Sequence, residues 1–153
     1  MSWDIHLSDF PEVASVSDIP DDFKPKNLGS RAALIAKIVD VFPEVDFADP
    51  SWGIIDGDGW SIEVNIGNGA DCDGIMLHVR GGDGAVEAVS AIVDRLGVRA
   101  IDLQTGEFYQ PDDAARSFDA WRSFRDDALA SYDEPKCPPR PTGWFGRLFG
   151  RKS

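Results

Sequence analysis

A chain of 153 residues with 42% hydrophobic and 10% aromatic side chains carries enough apolar material for one domain with a real core, which argues against disorder throughout. Its formal net charge of −12 is unevenly placed: Lys136, Arg140, Arg147, Arg151 and Lys152 give the last 18 residues +5 with no acid, which leaves −17 on residues 1–135. Such a body repels nucleic-acid phosphates and anionic lipid, so binding to DNA or RNA is disfavoured and a basic protein is the partner it attracts.

Two cysteines, Cys72 and Cys137, are far from the density of a disulfide-built scaffold and fit a reducing compartment. No apolar run approaches the roughly 20 residues that span a bilayer, and MSWDIHLSDF lacks the basic start and apolar stretch of a signal peptide. The expectation is a cytoplasmic protein of bacterial type.

In chain order, Trp3, Ile5 and Leu7 alternate with Asp4, His6 and Ser8, which predicts a first strand over 2–8 with one buried face. Pro11, Pro20 and Pro25 make 10–28 an extended, surface-hugging connection in which Val13, Val16, Ile19 and Phe23 dock. Ser30 is a natural N-cap for RAALIAKIVDVF, a helix with Leu34, Ile35, Ile38, Val39 and Phe42 in a broad apolar stripe and Pro43 as its stop. FADPSW, residues 47–52, reads as a turn-rich lead.

The centre of the chain is WGIIDGDGWSIEVNIGNGADCDGIMLHVRGG, residues 52–82. Ile54-Ile55 and Trp60–Ile66 flank Asp56-Gly57-Asp58-Gly59, whose glycines supply the positive φ that tight hairpins require. Ile62, Val64 and Ile66 point one way, with Ser61, Glu63 and Asn65 opposite. After a polar connection, Ile75, Leu77 and Val79 alternate with Met76, His78 and Arg80. A second helix, AVEAVSAIVDRLG, places Val86, Val89, Ile92, Val93 and Leu96 at helical spacing and ends at Gly97. Arg99–Leu103 follows as a last strand, with Ile101 and Leu103 taken as its core face.

The predicted order, β-α-β-β-β-α-β, suggests an α+β fold: a mostly antiparallel sheet with helices on one face, as in a ferredoxin-like sandwich, plus a C-terminal helix. The core domain covers residues 1–110. Residues 111–132 form an amphipathic helix with Phe118, Trp121, Phe124 or Arg125, Ala128 and Tyr132 on one side, which either covers the open sheet face or projects toward a partner. Residues 133–153 are a proline-rich linker and a basic aromatic tail.

Asp4, His6, Glu63, Asn65, His78, Arg80 and Asp102 share the outward parity of their strands. Histidines and carboxylates on one face have the chemistry of a ligand site or an acid–base pair, and His6, Glu63, Asn65, His78 and Arg80 are the ligand-binding candidates. The competing reading is a solvated face with weak cross-strand charge pairs. No short metal-ligand spacing is present, so no metal, cofactor or catalytic residue is assigned.

Asp56-Gly57-Asp58-Gly59 lacks the later oxygen ligands of a calcium loop, and Gly81-Gly82-Asp83-Gly84 lacks the lysine and hydroxyl residue of a nucleotide loop, with Asp83 better suited to capping. Cys72 sits between Asp71 and Asp73, whose charges raise a thiol pKa and keep it unreactive. In the tail, Trp144, Phe145, Leu148 and Phe149 interleave with Arg147 and Arg151, a composition for a partner's groove or for weak membrane contact through 143–153. Its alternative is a segment that folds back onto the acidic body.

With Trp3-Asp4-Ile5, Ile19-Pro20-Asp21-Asp22-Phe23, Asp49-Pro50-Ser51-Trp52-Gly53, Trp60–Asn65, His78-Val79-Arg80-Gly81-Gly82 and Thr105-Gly106-Glu107-Phe108, the chain resembles a family of small bacterial proteins of no assigned function over residues 1–110. In size, acidity and α+β make-up it is also similar to immunity proteins that neutralise bacterial toxins. The resemblance implies no activity. With the charge distribution, the expectation is a non-enzymatic acidic binding module engaging a basic partner. The alternatives are a small-ligand or metal-dependent enzyme using the polar sheet face, and a membrane-surface adaptor tethered by the tail.

Overall fold

The structure, a computed structural model, describes residues 2–69, 71–82 and 84–130. Its strands are β1 (Trp3–Ser8), β2 (Gly29–Ser30), β3 (Asp46–Asp49), β4 (Trp52–Gly57), β5 (Trp60–Asn65), β6 (Asp71–Cys72), β7 (Gly74–Gly81), β8 (Arg99–Asp102) and β9 (Glu107–Phe108). Its helices are α1 (Arg31–Val41), α2 (Gly84–Leu96) and α3 (Pro111–Ala130). Seven strands form one antiparallel sheet in the order β3-β4-β5-β7-β1-β8-β9, and β2 pairs with β6 in a separate two-stranded ladder. The fold is α+β. Because β7 and β8 both run antiparallel to β1, which lies between them, α2 carries a split β-α-β crossover.

Local chemistry sets the element ends. Ser30 Oγ accepts the Ala33 N–H at 3.1 Å and caps α1. Gly97, at φ +66°, ends α2 by donating its N–H to the carbonyl of Val93. The β4–β5 hairpin needs only two loop residues, Asp58 and Gly59, of which Gly59 alone takes a positive φ, +78°.

The inward-facing residues Trp3, Ile5, Leu7, Ile62, Val64, Ile75, Leu77 and Val79 are all fully buried. They pack against Leu34 and Ile38 of α1 and Ala85, Val89 and Ile92 of α2. The α1 stripe is narrower than expected: Val39 is exposed, because α1 sits at the flank of α2 and buries chiefly Leu34 and Ile38.

The segment 10–28 crosses the opposite face of the sheet as far as Phe23 and returns to the helix side at Leu28. Phe10, Ile19, Val13, Val16 and Phe23 form a second cluster there with Ile101, Leu103 and Phe108. Arg99 holds this arm by donating to the carbonyls of Pro11 and Val13 at 2.6 and 3.0 Å, with its guanidinium 3.5 Å above the Phe108 ring. The register that places it there corrects the parity expected for the last strand. Ala100 lies opposite Leu7 and Asp102 opposite Ile5, so both face the helices, while Ile101 lies opposite His6 and faces the arm. Asp102 therefore leaves the polar constellation.

Two further expectations are corrected. FADPSW does not form only a turn: Asp46–Asp49 pairs with β4 as an edge strand, and the Phe47 ring fills the space above Gly53, where a Cβ would meet it at 2.5 Å. Helix α3 does not cover the open sheet face. It packs on the helix side, burying Phe118 and Trp121 against Trp3, whose ring lies 5.2 Å from that of Phe118. Phe124 on its outer side is exposed, and Tyr132 lies outside the described residues, as does Asp83 with its predicted capping role.

Gly81 joins the sheet to α2 at φ +103°, and a Cβ there would fall 2.3 Å from the Gly59 carbonyl oxygen and 2.5 Å from Trp60 Cα. Both neighbours are backbone of the β4–β5 turn. Gly81→Ala is expected to cost about 2 kcal/mol or more in urea unfolding. A melt matching the unsubstituted chain would show that this turn yields freely.

Candidate functional site on the open half of the sheet

The arm covers β8, β9 and the His6 end of β1 on the outer face, and no described element covers β3, β4, β5, β7 and the Asp4 end of β1, the open half of the sheet. Residues opposite one another in the ladder share a face, so the register defines what this half presents. One cross-strand row is Asp46, Ile54, Glu63, His78 and Asp4. The next is Asp49, Trp52, Asn65, Met76 and His6, and a third holds Asp56, Ser61 and Arg80.

All five ligand-binding candidates thus lie on one face, but they do not converge on one point. His78 Nδ1 is 2.9 Å from Asp4 Oδ1, a pairing that favours the Nδ1–H tautomer, and Ser2 Oγ donates to the same carboxylate oxygen. The His78 ring stacks on Trp52 at 5.5 Å with 15° between planes. Arg80 and Glu63 form an ion pair at 2.8 Å. Each carboxylate is therefore already engaged. Asn65 lies between Trp52 and Met76 in the middle row.

His6 has a different environment. Its ring lies under the arm, 5.6 Å from Phe10 and close enough to Gly74 that a Cβ there would sit 3.1 Å from Cε1. Burial disfavours the imidazolium and pulls the pKa down to about 4, with Asp73 acting weakly in the opposite direction. At neutral pH such a ring is uncharged and a poor proton acceptor. No group of three or more His, Cys, Asp or Glu among the described residues is arranged to hold a metal ion.

Cys72, in β6, is buried. Its Sγ lies 2.9 Å from the Gly74 carbonyl and 3.3 Å from that of Ile66, and burial, with Asp73 as a smaller contribution, pushes the thiol pKa up. A groove of about 290 Å³ at the end of α1, lined by Val41, Phe42, Pro43, Glu44, Val45, Ile55 and Asp56, lacks convergent polar groups beyond two carboxylates. Among the described residues no helix is long and apolar enough to cross a membrane. The tail candidates Trp144, Phe145, Arg147, Leu148, Phe149 and Arg151 lie outside the described residues.

The sequence reading missed the other half of this surface. Trp52 and Ile54 face outward with Asp56, and Ile54 remains 39% exposed. Asp46 and Asp49 join them because β3 is a strand. The parity of Trp52, Ile54 and Asp56 was available in the sequence; the pairing of β3 was not. Asp49 accepts from both Ser51 Oγ and the Ser51 N–H, which, with a lesser pull from Arg31, holds its carboxyl below the ordinary range. The open face thus combines Trp52, Ile54 and Met76 with five carboxylates, Asp4, Asp46, Asp49, Asp56 and Glu63, against one arginine, Arg80.

The Asp4–His78 pair is expected to be structural. Asp4→Ala should lower stability by about 1–2 kcal/mol, whereas Glu63→Gln, whose partner Arg80 is largely exposed, should cost less than about 1 kcal/mol. Equal losses in thermal melts would contradict this ranking.

Comparison of the chain with protein-family models, with curated proteins and with solved structures finds no match.

Proposed function

We propose that the chain is a non-enzymatic, acidic binding module that takes a basic protein partner on the open half of its sheet. The observation that carries this reading is the composition of that face: exposed Ile54 and half-buried Trp52 and Met76 set among five carboxylates and one arginine. Apolar anchors surrounded by one sign of charge give both contact area and electrostatic steering toward a cationic surface. Between Lys37 and Arg80 the sequence holds nine Asp and Glu and no Lys or Arg, and four of the nine, Asp46, Asp49, Asp56 and Glu63, lie on this face. The size, acidity and α+β make-up support an immunity-like role, with a basic toxin as the partner. The split β-α-β crossover supports a ferredoxin-like description of the β1–β7–β8 half, and the low cysteine content supports a cytoplasmic setting.

The test is capture by an immobilised chain, with partners identified by mass and eluted by salt. Basic proteins released as salt rises from about 0.1 M to about 0.5 M are the expected result, since such contacts are screened over this range. Recovery of only neutral or acidic partners would remove the electrostatic basis of the reading.

A second reading rests on the Asp4–His78 pair, which has the geometry of an oriented imidazole on an open surface. On it the chain is a small-ligand protein or enzyme using His6, Glu63, Asn65, His78 and Arg80. Alanine at both His6 and His78 that left ligand binding unchanged in a small-molecule screen would end that reading. The membrane-adaptor reading rests on the tail composition alone. Equal liposome flotation of the full chain and a chain ending at Glu134 would dismiss it.

A further inference from the structure

The bare half-sheet and the basic end of the same chain are complementary. The face carries Asp4, Asp46, Asp49, Asp56 and Glu63 against Arg80, a formal charge of −4 from its carboxylates and arginine, and three apolar side chains. Residues 143–153 carry Arg147, Arg151 and Lys152 with no acid, interleaved with Trp144, Phe145, Leu148 and Phe149. The other half of the same face already shows how the chain closes such a surface: the arm 10–28 lays Phe10, Ile19 and Phe23 across it and is held by Arg99. No described element does this for the β3–β4–β5–β7 half.

We propose that residues 143–153 of the chain dock on the open half-sheet of the same molecule, with their aromatic side chains against Trp52, Ile54 and Met76 and their cations against Asp46, Asp49 and Asp56. This rests on the binding-module reading and adds a regulation to it: the segment occupies the face until a basic partner displaces it. Reach permits this. The 12 residues between Ala130 and Gly143 span at most about 40 Å, and a domain of this size has a radius of gyration of about 14 Å. A tether of that length presents the segment at an effective concentration on the order of a millimolar, so a weak contact suffices to keep the face occupied. Arg80 is already neutralised by Glu63 and does not oppose the approach of a cation.

The probe is a fluorescently labelled peptide of residues 143–153, titrated with the full chain and with a chain ending at Glu134. The peptide is expected to bind the shortened chain, and to bind it at least about tenfold more weakly at 0.5 M than at 0.05 M salt, roughly. It should bind the full chain at least about tenfold more weakly, because the tethered copy competes. Asp46→Lys with Asp56→Lys, both exposed positions, should abolish peptide binding while leaving the thermal melt of the shortened chain in place. Failure of the peptide to bind the shortened chain, equal binding to both chains, or unchanged binding to the double variant each overturns the proposal. A full chain that sediments as a dimer while the shortened chain is monomeric would also overturn it, by placing the segment on a second copy. A shortened chain that captures basic proteins but ignores the peptide refutes the docking and leaves the binding module standing. Peptide binding without any captured partner does the reverse.

Discussion

Trp3→Ala is expected to remove about 3–5 kcal/mol of stability, a large part of what a domain of this size possesses. Trp3 is fully buried at the start of β1, an interior strand, and packs against Phe118 of α3. Its ring lies 5.2 Å from Phe118 and 6.3 Å from Tyr109, and Tyr109 in turn hydrogen-bonds with Ser90 of α2. Truncation opens a cavity bordered by the sheet, α2 and α3 at once, so helix content and cooperativity should fall together. Trp3→Phe keeps most of the ring and discards an indole N–H with no partner among the described residues, so it should cost less than half as much. Phe124→Ala, at an exposed position of α3, should change stability by no more than about 0.5 kcal/mol. Chemical denaturation of the three variants checks the ranking. A Trp3→Ala chain as stable as the Phe124→Ala chain would mean that α3 is not part of the core.

Acid is expected to weaken the fold through His6. The folded pKa, about 4, lies below the ordinary value of 6.5, so between these pH values the unfolded chain binds more protons than the folded one. The stability contributed by the neutral ring is fully present above pH 6.5, falls as the pH drops through this window, and levels off near pH 4. The total loss is about 3 kcal/mol at most. Since the ring lies beneath Phe10, the arm 10–28 should loosen first, and hydrogen exchange there should rise before exchange in β5 and β7. Asp49 also loses a favourable ionised state in acid, but only below the ordinary carboxylate range. His6→Gln, which cannot titrate, should therefore flatten the stability profile between pH 6.5 and 4.5 specifically. An identical slope in both proteins would show that His6 protonates without resistance.

Much of the frame is written in local chemistry. The alternation in Trp3–Ser8, Trp60–Asn65 and Gly74–Gly81, the Ser30 cap and the Gly97 stop were all legible, because each depends on residues close in sequence; that Val13, Val16, Ile19 and Phe23 dock was legible from their apolar character, but their distant partners Ile101, Leu103 and Phe108 were not. The site was legible in part. Parity placed His6, Glu63, Asn65, His78 and Arg80 on one face, but it could not tell that His6 is roofed by Phe10 while His78 is open beside Trp52. Nor could it recognise β3, whose DFAD sequence has too few apolar residues to signal a strand and pairs with β4 only as an edge.

By itself, then, the sequence determined which residues of each strand share a side, where the helices start and stop, and how charge divides between an acidic body and a basic end. Tertiary structure decided which side of β8 meets the helices, which half of the sheet the arm covers, and that α3 buries Phe118 and Trp121 against Trp3 instead of covering the open face. The physical reason is that a period of two fixes relative orientation within a strand, whereas the choice of face follows from long-range register. In β8, with Ile101 and Leu103 on one side and Ala100 and Asp102 on the other, the apolar side went to the arm rather than to the helices. Only the pairing of Leu7 with Ala100 across the sheet settled that choice.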